Sequence, residues 1–274
     1  FSNIDSFLKK KEDNSDVVGV FVNKTLFPFQ YSFNESDKIV IFLPGAFNRQ
    51  YSMPKFQRSG YFDDLEYNCI SFFDPSLFLT GDFGFTRAWF LGTQEHSYVD
   101  LLYQIIKQIL SSQRIDSQNV LFFSTSAGGI PAIKLASRFS GSHAYCGNIQ
   151  TNLLNHYPAY VKKLCMVCFE QELEEAKSSF LDRMSVWDDD ADFNLHISQN
   201  TADSFHLENH FLPYFSCLKS ASRIKFEAMK YTDEKIGHNP LHKNLEIKII
   251  KSIFEKGSFK DCFGRYTTEY LVNY

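Results

Sequence analysis

The chain has 274 residues, 44% of them hydrophobic, with a formal net charge of −4 and a pI near 6.1. That length can bury the core of one α/β domain, or of a domain with a lid, and the acidic balance excludes a global attraction to nucleic acid or anionic membrane. No apolar run approaches the roughly 20 residues of a membrane span, and Phe1-Ser-Asn-Ile-Asp5 carries no signal-peptide pattern, so the expectation is a cytoplasmic protein without a membrane span. The first residue is not methionine, which leaves open a longer polypeptide.

In chain order, residues 16–33 hold two β-rich runs, Val17-Val-Gly-Val-Phe-Val22 and Leu26-Phe-Pro-Phe-Gln-Tyr-Ser-Phe33, which read as an edge hairpin. Lys38-Ile-Val-Ile-Phe-Leu43 predicts a buried strand, closed by the loop Pro44-Gly-Ala-Phe-Asn48. Tyr67 to Phe73 predicts another strand, ended by Asp74-Pro75. The aromatic, glycine-broken segment from Phe78 to Gly92 is too irregular for a strand or a long helix and reads as a pocket-lining loop. In it, Arg87 and Trp89 are candidates to hold an anionic or sugar ligand through charge and ring stacking, against packing under a long loop as the plainer use of Trp89. From His96 to Gln113, apolar residues at helical spacing predict an amphipathic helix crossing the sheet.

Val120-Leu-Phe-Phe runs straight into Ser124-Thr-Ser-Ala-Gly-Gly129, and Ile130, Ile133, Ala136 and Phe139 then fall on one helical face. Strand, sharp turn and helix around Ser126 describe a nucleophile elbow, in which small neighbours let a strained turn close. Ser124 stands where the G-x-S-x-G pattern has its first glycine, and Pro131 fits the first helical turn. The alternative is a Ser/Gly-rich turn, one that binds phosphate included.

His143-Ala-Tyr-Cys-Gly-Asn148 reads as the next strand. Asn148 and Gln150 leave its carboxyl end, where ligands of open α/β sheets bind, although such amides also cap helices. Residues 153–185 predict a mainly helical, lid-like insertion after the sixth strand. Phe193-Asn-Leu-His-Ile197 predicts a short strand, followed by a loop with Asp203 and then a helix through Leu207, Phe211 and Leu212; Asp203 could equally be that helix's N-cap. Arg223 to Met229 predicts a last strand, and His238 follows Gly237 in the loop beyond it. The order Ser126, Asp203, His238 is the one α/β-hydrolases use.

The six cysteines are scattered. Cys165-Met-Val-Cys168 is the one close pair, without a second pair or a His pair at ligand spacing, so neither a metal nor a redox centre is expected. Asp188-Asp-Asp190 reads as a solvated loop.

Together these features give the fold class as α/β, an α/β-hydrolase fold with a mostly parallel central sheet flanked by helices, formed as a single domain over 1–274. They also set Ser126 as nucleophile, His238 as base and Asp203 as its orienting carboxylate, with the oxyanion held by N–H groups of Ala127 and of Ala46 or Phe47. The segments Ser124-Thr-Ser-Ala-Gly-Gly129, Gly147-Asn-Ile-Gln150, Asp203-Ser-Phe-His-Leu-Glu208 and Ile236-Gly-His-Asn239, with a looser match at Pro44-Gly-Ala-Phe47, resemble the α/β-hydrolase-type O-acetyltransferases of bacterial capsular polysaccharides over roughly residues 38 to 255. That resemblance implies transfer of an acetyl group from acetyl-CoA, as donor substrate and not a permanently bound cofactor, to a hydroxyl of a polysaccharide or oligosaccharide acceptor. It also implies association with capsule-synthesis enzymes as a possible partnership. Arg87, Trp89, Asn148, Gln150 and His206 are the candidate substrate contacts. A similar fold occurs in a protein of the accessory secretion system for glycosylated adhesins. The alternatives are therefore a carbohydrate esterase or general serine hydrolase, and a noncatalytic glycan-handling module.

Overall fold

The computed structural model describes residues 1–10, 17–184, 186, 191–218, 224–264, 266 and 268–273. Asp188-Asp-Asp190, Ser185 at the end of the expected lid, Asp16 and Arg223 lie outside the described residues. Among the described residues nine strands form one sheet: β1 Val17–Val22, β2 Thr25–Ser32, β3 Ile39–Leu43, β4 Asn68–Phe72, β5 Val120–Thr125, β6 His143–Gly147, β7 Asn194–Asn200, β8 Lys225–Tyr231 and β9 Thr268–Asn273. Their order is β1-β2-β4-β3-β5-β6-β7-β8-β9. The run from β4 through β8 is parallel, while β1, β2 and β9 pair antiparallel at the two edges. This is an α/β-hydrolase fold.

The apolar runs of β3 and β5 follow from burial on both faces, since every residue in each is buried. One face, with Ile39, Ile41, Leu43, Val120 and Phe122, packs against α1 (Ile4–Lys10), α2 (Tyr98–Gln113) and α3 (Gly129–Ala136). The same face carries α4 (Pro158–Phe169) and α5 (Leu173–Met184), which enter the chain between β6 and β7. The other face, with Val40, Phe42, Leu121, Phe123 and Tyr145, packs against Leu245, Ile249, Ile250 and Ile253 of α8 (Lys243–Lys256). The helix after Asp203 is continuous but not uniform: α6 (Ser204–His206) widens into a π turn, Leu207–Phe211, before α7 (Leu212–Leu218).

Several sequence expectations shift. β7 continues three residues past Ile197, because Ser198, Gln199 and Asn200 pair with Met229, Lys230 and Tyr231 of β8 and are fully buried despite their polarity. α3 stops at Ala136, and Phe139 reaches the core from the following turn, stacked 5.8 Å from Phe122. α2 starts at Tyr98, where Ser97 caps it by accepting from the Asp100 N–H at 3.4 Å. β8 is not the last strand, since β9 pairs beside it along its whole length.

Candidate active site

Ser126 directly follows β5 and opens a single 3-10 turn, Ser126–Gly128, that leads into α3. Its φ is 53°, the left-handed region that a non-glycine residue enters at a cost. The turn closes tightly: a Cβ on Gly128 would lie 2.7 Å from the Leu43 carbonyl oxygen and 2.9 Å from Ser124 Cβ. A serine is therefore accommodated at position 124 because position 128 is bare, and its buried hydroxyl donates to the Tyr145 carbonyl at 3.1 Å.

Asp203 follows β7 and occupies the N-cap position of α6, yet its side chain makes no capping bond. Both carboxylate oxygens go to imidazoles instead, Oδ1 to His206 Nδ1 at 2.9 Å and Oδ2 to His238 Nδ1 at 2.5 Å. His238 Nε2 lies 2.8 Å from Ser126 Oγ. The partners assign the tautomers: a carboxylate only accepts, so His238 Nδ1 donates to it and Nε2 is left to accept the serine proton. Burial alone would raise the Asp203 carboxyl, but the hydrogen bonds from His206 and His238 outweigh it and hold the group well below the usual carboxylate range. The His238 loop is tied to the strand ends. Asn148 Nδ2 faces the carbonyls of Gly237, His238 and Asn239 at 3.3–3.5 Å. Its Oδ1 accepts from the Asn200 N–H at 2.9 Å, and Asn200 Nδ2 donates to the Gly237 carbonyl at 2.9 Å. Asn148, 2% exposed, thus spends its amide on protein and braces this loop.

The loop after β3 lies across the elbow. The Phe47 N–H is committed to the Thr86 carbonyl at 3.1 Å, which corrects the expectation that it serves an oxyanion and leaves Ala46 as the remaining candidate in that loop. The Ala127 N–H belongs to the first turn after Ser126, where helical donors have no partner inside the helix. Buried Arg49 clamps the same loop to the aromatic segment by donating to the carbonyls of Thr80, Asp82 and Phe85 at 2.7–3.3 Å. A cavity of about 430 Å³ opens over this ground, lined among others by Gly45, Ala46, Arg58, Tyr61, Ser126 and His238. A second, more apolar cavity of about 360 Å³ lies between α5 and α7, and neither Ser126, Asp203 nor His238 lines it.

None of the remaining expected contacts, Arg87, Trp89, Gln150 and His206, lines the cavity over Ser126. Gln150 Nε2 lies 3.1 Å from Ser126 Oγ and 3.0 Å from His206 Nε2, while its Oε1 accepts from the Trp89 indole N–H at 3.0 Å. Trp89 is 2% exposed, which leaves it no open face for a sugar. Arg87 donates to His156 Nε2 at 2.8 Å and lies 4.2 Å over the Tyr160 ring.

His156, His206 and His210 bring ligand-type nitrogens within 4.8 Å of one another. Their tautomers do not suit a cation. His156 Nε2 faces the Arg87 donor, so its proton sits on Nδ1, and His210 Nδ1 faces the backbone N–H groups of Thr151 and Asn152, so its proton sits on Nε2. The nitrogens left over are N–H donors beside a guanidinium. Burial, with the charge of Arg87 next, lowers His156 to about 3; burial, with His206 next, lowers His210 to about 4. No disulfide joins the described cysteines, and burial raises Cys165 to about 11 and Cys168 well above its ordinary value.

No protein-family model matches the chain, and no curated protein matches it. Solved structures do. The capsule O-acetyltransferase of Neisseria meningitidis serogroup A superposes with a TM-score of 0.65 at 18% identity, covering 92% of this chain and 99% of that one. A mutant of the same enzyme, solved in complex with CoA, gives a TM-score of 0.61 at 17% identity. Dipeptidyl peptidase 4 of Porphyromonas gingivalis gives 0.63 at 15% identity, covering 88% of this chain but 35% of that one. The glycosylation-associated Gap123 complex of Streptococcus agalactiae gives 0.53 at 14% identity, covering 78% of this chain and 42% of that one. The chain thus shares one α/β-hydrolase fold with an O-acetyltransferase and with a peptidase, and a hydrogen-bonded Ser126, His238 and Asp203 stand together at the carboxyl ends of its parallel strands.

Proposed function

We propose that the protein is a serine acyltransferase that moves an acetyl group from acetyl-CoA to a hydroxyl of a bacterial surface polysaccharide. The observation that carries the reading is the continuous hydrogen-bonded line from Ser126 Oγ through His238 to Asp203, with Ser126 held at φ 53° on an elbow. Ser126 Oγ gives its proton to His238 Nε2 and attacks the thioester carbonyl. The oxyanion is held by the N–H groups of Ala127 and Ala46. The C–S bond breaks, His238 returns the proton to the departing sulfur, and acetyl-Ser126 remains. An acceptor hydroxyl then gives its proton to His238 and attacks the acyl carbon, and the C–Oγ bond breaks as Oγ takes the proton back. Asp203 keeps the imidazole in the required tautomer and stabilises its cation. Support for a transferase comes from the capsule O-acetyltransferase, which is matched along 99% of its length and of which a mutant was solved in complex with CoA.

A hydrolase uses the same residues with water as acceptor, and the peptidase neighbour favours that as the second reading. Intact-protein mass after brief incubation with acetyl-CoA separates them. The expected result is a single acetyl adduct on the wild type, absent in Ser126→Ala with an unchanged melting temperature, and discharged faster by a capsular oligosaccharide than by buffer. Discharge by buffer alone at an equal rate selects the hydrolase. If a fluorophosphonate fails to label Ser126 as well, serine chemistry is overturned and the glycan-handling module stands.

A further inference from the structure

Ser126 has a second side-chain partner that neither a serine–histidine–aspartate line nor a bound substrate requires. Gln150 cannot turn its amide freely: the Trp89 indole N–H only donates, so the atom 3.0 Å away from it is the carbonyl oxygen, and the NH2 group faces Ser126 Oγ and His206 Nε2. His206 Nε2 must then accept, which fits its Nδ1–H donating to Asp203 Oδ1 at 2.9 Å. Ser126, His238, Asp203, His206 and Gln150 therefore close a ring of hydrogen bonds, each with a determined direction. Within it the His206 and His238 rings stack with centroids 3.8 Å apart. Gln150 and His206 are 2% and 6% exposed, so that side of the ring is enclosed by protein, while the His238 side faces the cavity.

We infer that Gln150 is a further catalytic residue, a side-chain donor that holds negative charge on Ser126 Oγ itself, and that neutral His206 positions it. The inference rests on the acyl-serine reading above. Backbone donors of an oxyanion hole serve the substrate's carbonyl oxygen. They leave the serine oxygen, which carries charge as the C–Oγ bond forms and again as it breaks, to other groups. Gln150 meets that oxygen in both half-reactions without exchanging a proton, while the proton passes between Oγ and His238. An acceptor is needed on the far side of the Gln150 amide to keep it aimed, and an imidazole whose other nitrogen donates to Asp203 supplies one. Burial lowers His206 below its ordinary value, with the neighbouring His238 working in the same direction and the bond to Asp203 working against it, which favours that neutral acceptor.

The test uses acylation by p-nitrophenyl acetate and the rate of fluorophosphonate labelling, neither of which needs the natural donor or acceptor. Gln150→Ala and Gln150→Glu, the latter of the same shape without N–H donors, are expected to slow acylation about tenfold or more with KM held within about twofold. His206→Phe is expected to slow it similarly, His206→Gln, which can both accept and donate, to restore most of the rate, and the Gln150→Ala/His206→Phe double variant to be no slower than the slower single variant. A raised KM with unchanged kcat, additive losses in the double variant, or wild-type labelling of Gln150→Glu would each overturn the inference. An unlabelled wild type overturns the acyl-serine reading, and this inference falls with it. Melting curves of each variant separate slow chemistry from a damaged fold.

Discussion

Gly128 governs the elbow more strictly than the serine it serves. With a Cβ 2.7 Å from the Leu43 carbonyl and 2.9 Å from Ser124 Cβ, Gly128→Ala has to push β3 and β5 apart or move the turn. It is expected to cost about 1–3 kcal/mol by denaturant titration and to lower fluorophosphonate labelling of Ser126 together with stability. The turn at Ser126 and its small neighbours were legible in the sequence because an elbow is a local device whose constraints fall on adjacent residues, and Asp203 and His238 were placed by the loops that follow later strands. The use of Gln150 and His206 was not legible. Both were expected to touch substrate, and their joint engagement of Ser126 depends on three segments meeting beyond the ends of β5, β6 and β7. The commitment of the Phe47 N–H to Thr86 was hidden for the same reason, since the acceptor lies 39 residues on, in a loop of no regular pattern.

At the scale of elements, α8 is fastened under the site by one buried ion pair. Arg58 binds Glu246 through Nε at 2.7 Å and Nη2 at 2.9 Å, and its Nη2 also reaches Thr125 Oγ1, next to Ser126, at 3.0 Å. Tyr61 adds a hydroxyl to the same carboxylate at 2.8 Å. Glu246→Ala would leave a buried guanidinium without its counter-charge, so it is expected to lose about 3–5 kcal/mol of stability in chemical denaturation. Glu246→Gln, which keeps an acceptor for Tyr61 or Arg58, is expected to lose less. The spacing of Leu245, Ile249, Ile250 and Ile253 is itself a helical signature, so α8 was open to sequence reading although it is not among the predicted elements. The end of β7 was not, because Ser198-Gln-Asn200 has the polarity of a loop and acquires its strand from the pairing of β8 alongside.

For the whole molecule, buried imidazoles set the response to acid. Burial lowers His143 and His156 to about 3 and His210 to about 4, so each stays neutral in the folded protein down to that range, whereas an unfolded histidine takes up a proton below about 6.5. The unfolded chain then binds more protons, and the stability these groups allow is lost as pH falls from about 6.5. Asp74 works in the opposite sense, since burial raises it to about 6 against the hydrogen bonds of Phe90 and Ser76 and it gives up its proton on unfolding between there and its ordinary range. Three imidazoles against one carboxyl make the net effect acid destabilisation. The melting temperature is expected to fall steadily between pH 6.5 and 4, and His143→Phe to flatten that slope; a melting temperature independent of pH over this range would refute the account. His143 belongs to a chain at the opposite strand ends from Ser126, through His196 Nε2 at 3.0 Å and on to Glu227 at 2.6 Å. Ser258, just past α8, and Tyr270 of β9 donate to the same carboxylate at 2.6 and 2.7 Å, so both are tied to β8 there.

The three residues aligned at the site come from the ends of β5, β7 and β8, and Ser126 precedes His238 by 112 residues. A ribosome therefore delivers the serine long before it delivers the imidazole. Until β8 docks beside β7, the hydroxyl of Ser126 has no base, and a partly folded chain carries an ordinary alcohol there. Under the acyl-serine reading proposed above, reactivity toward a thioester is in this way deferred until the parallel sheet is complete, so that a nascent chain is spared acylation at Ser126.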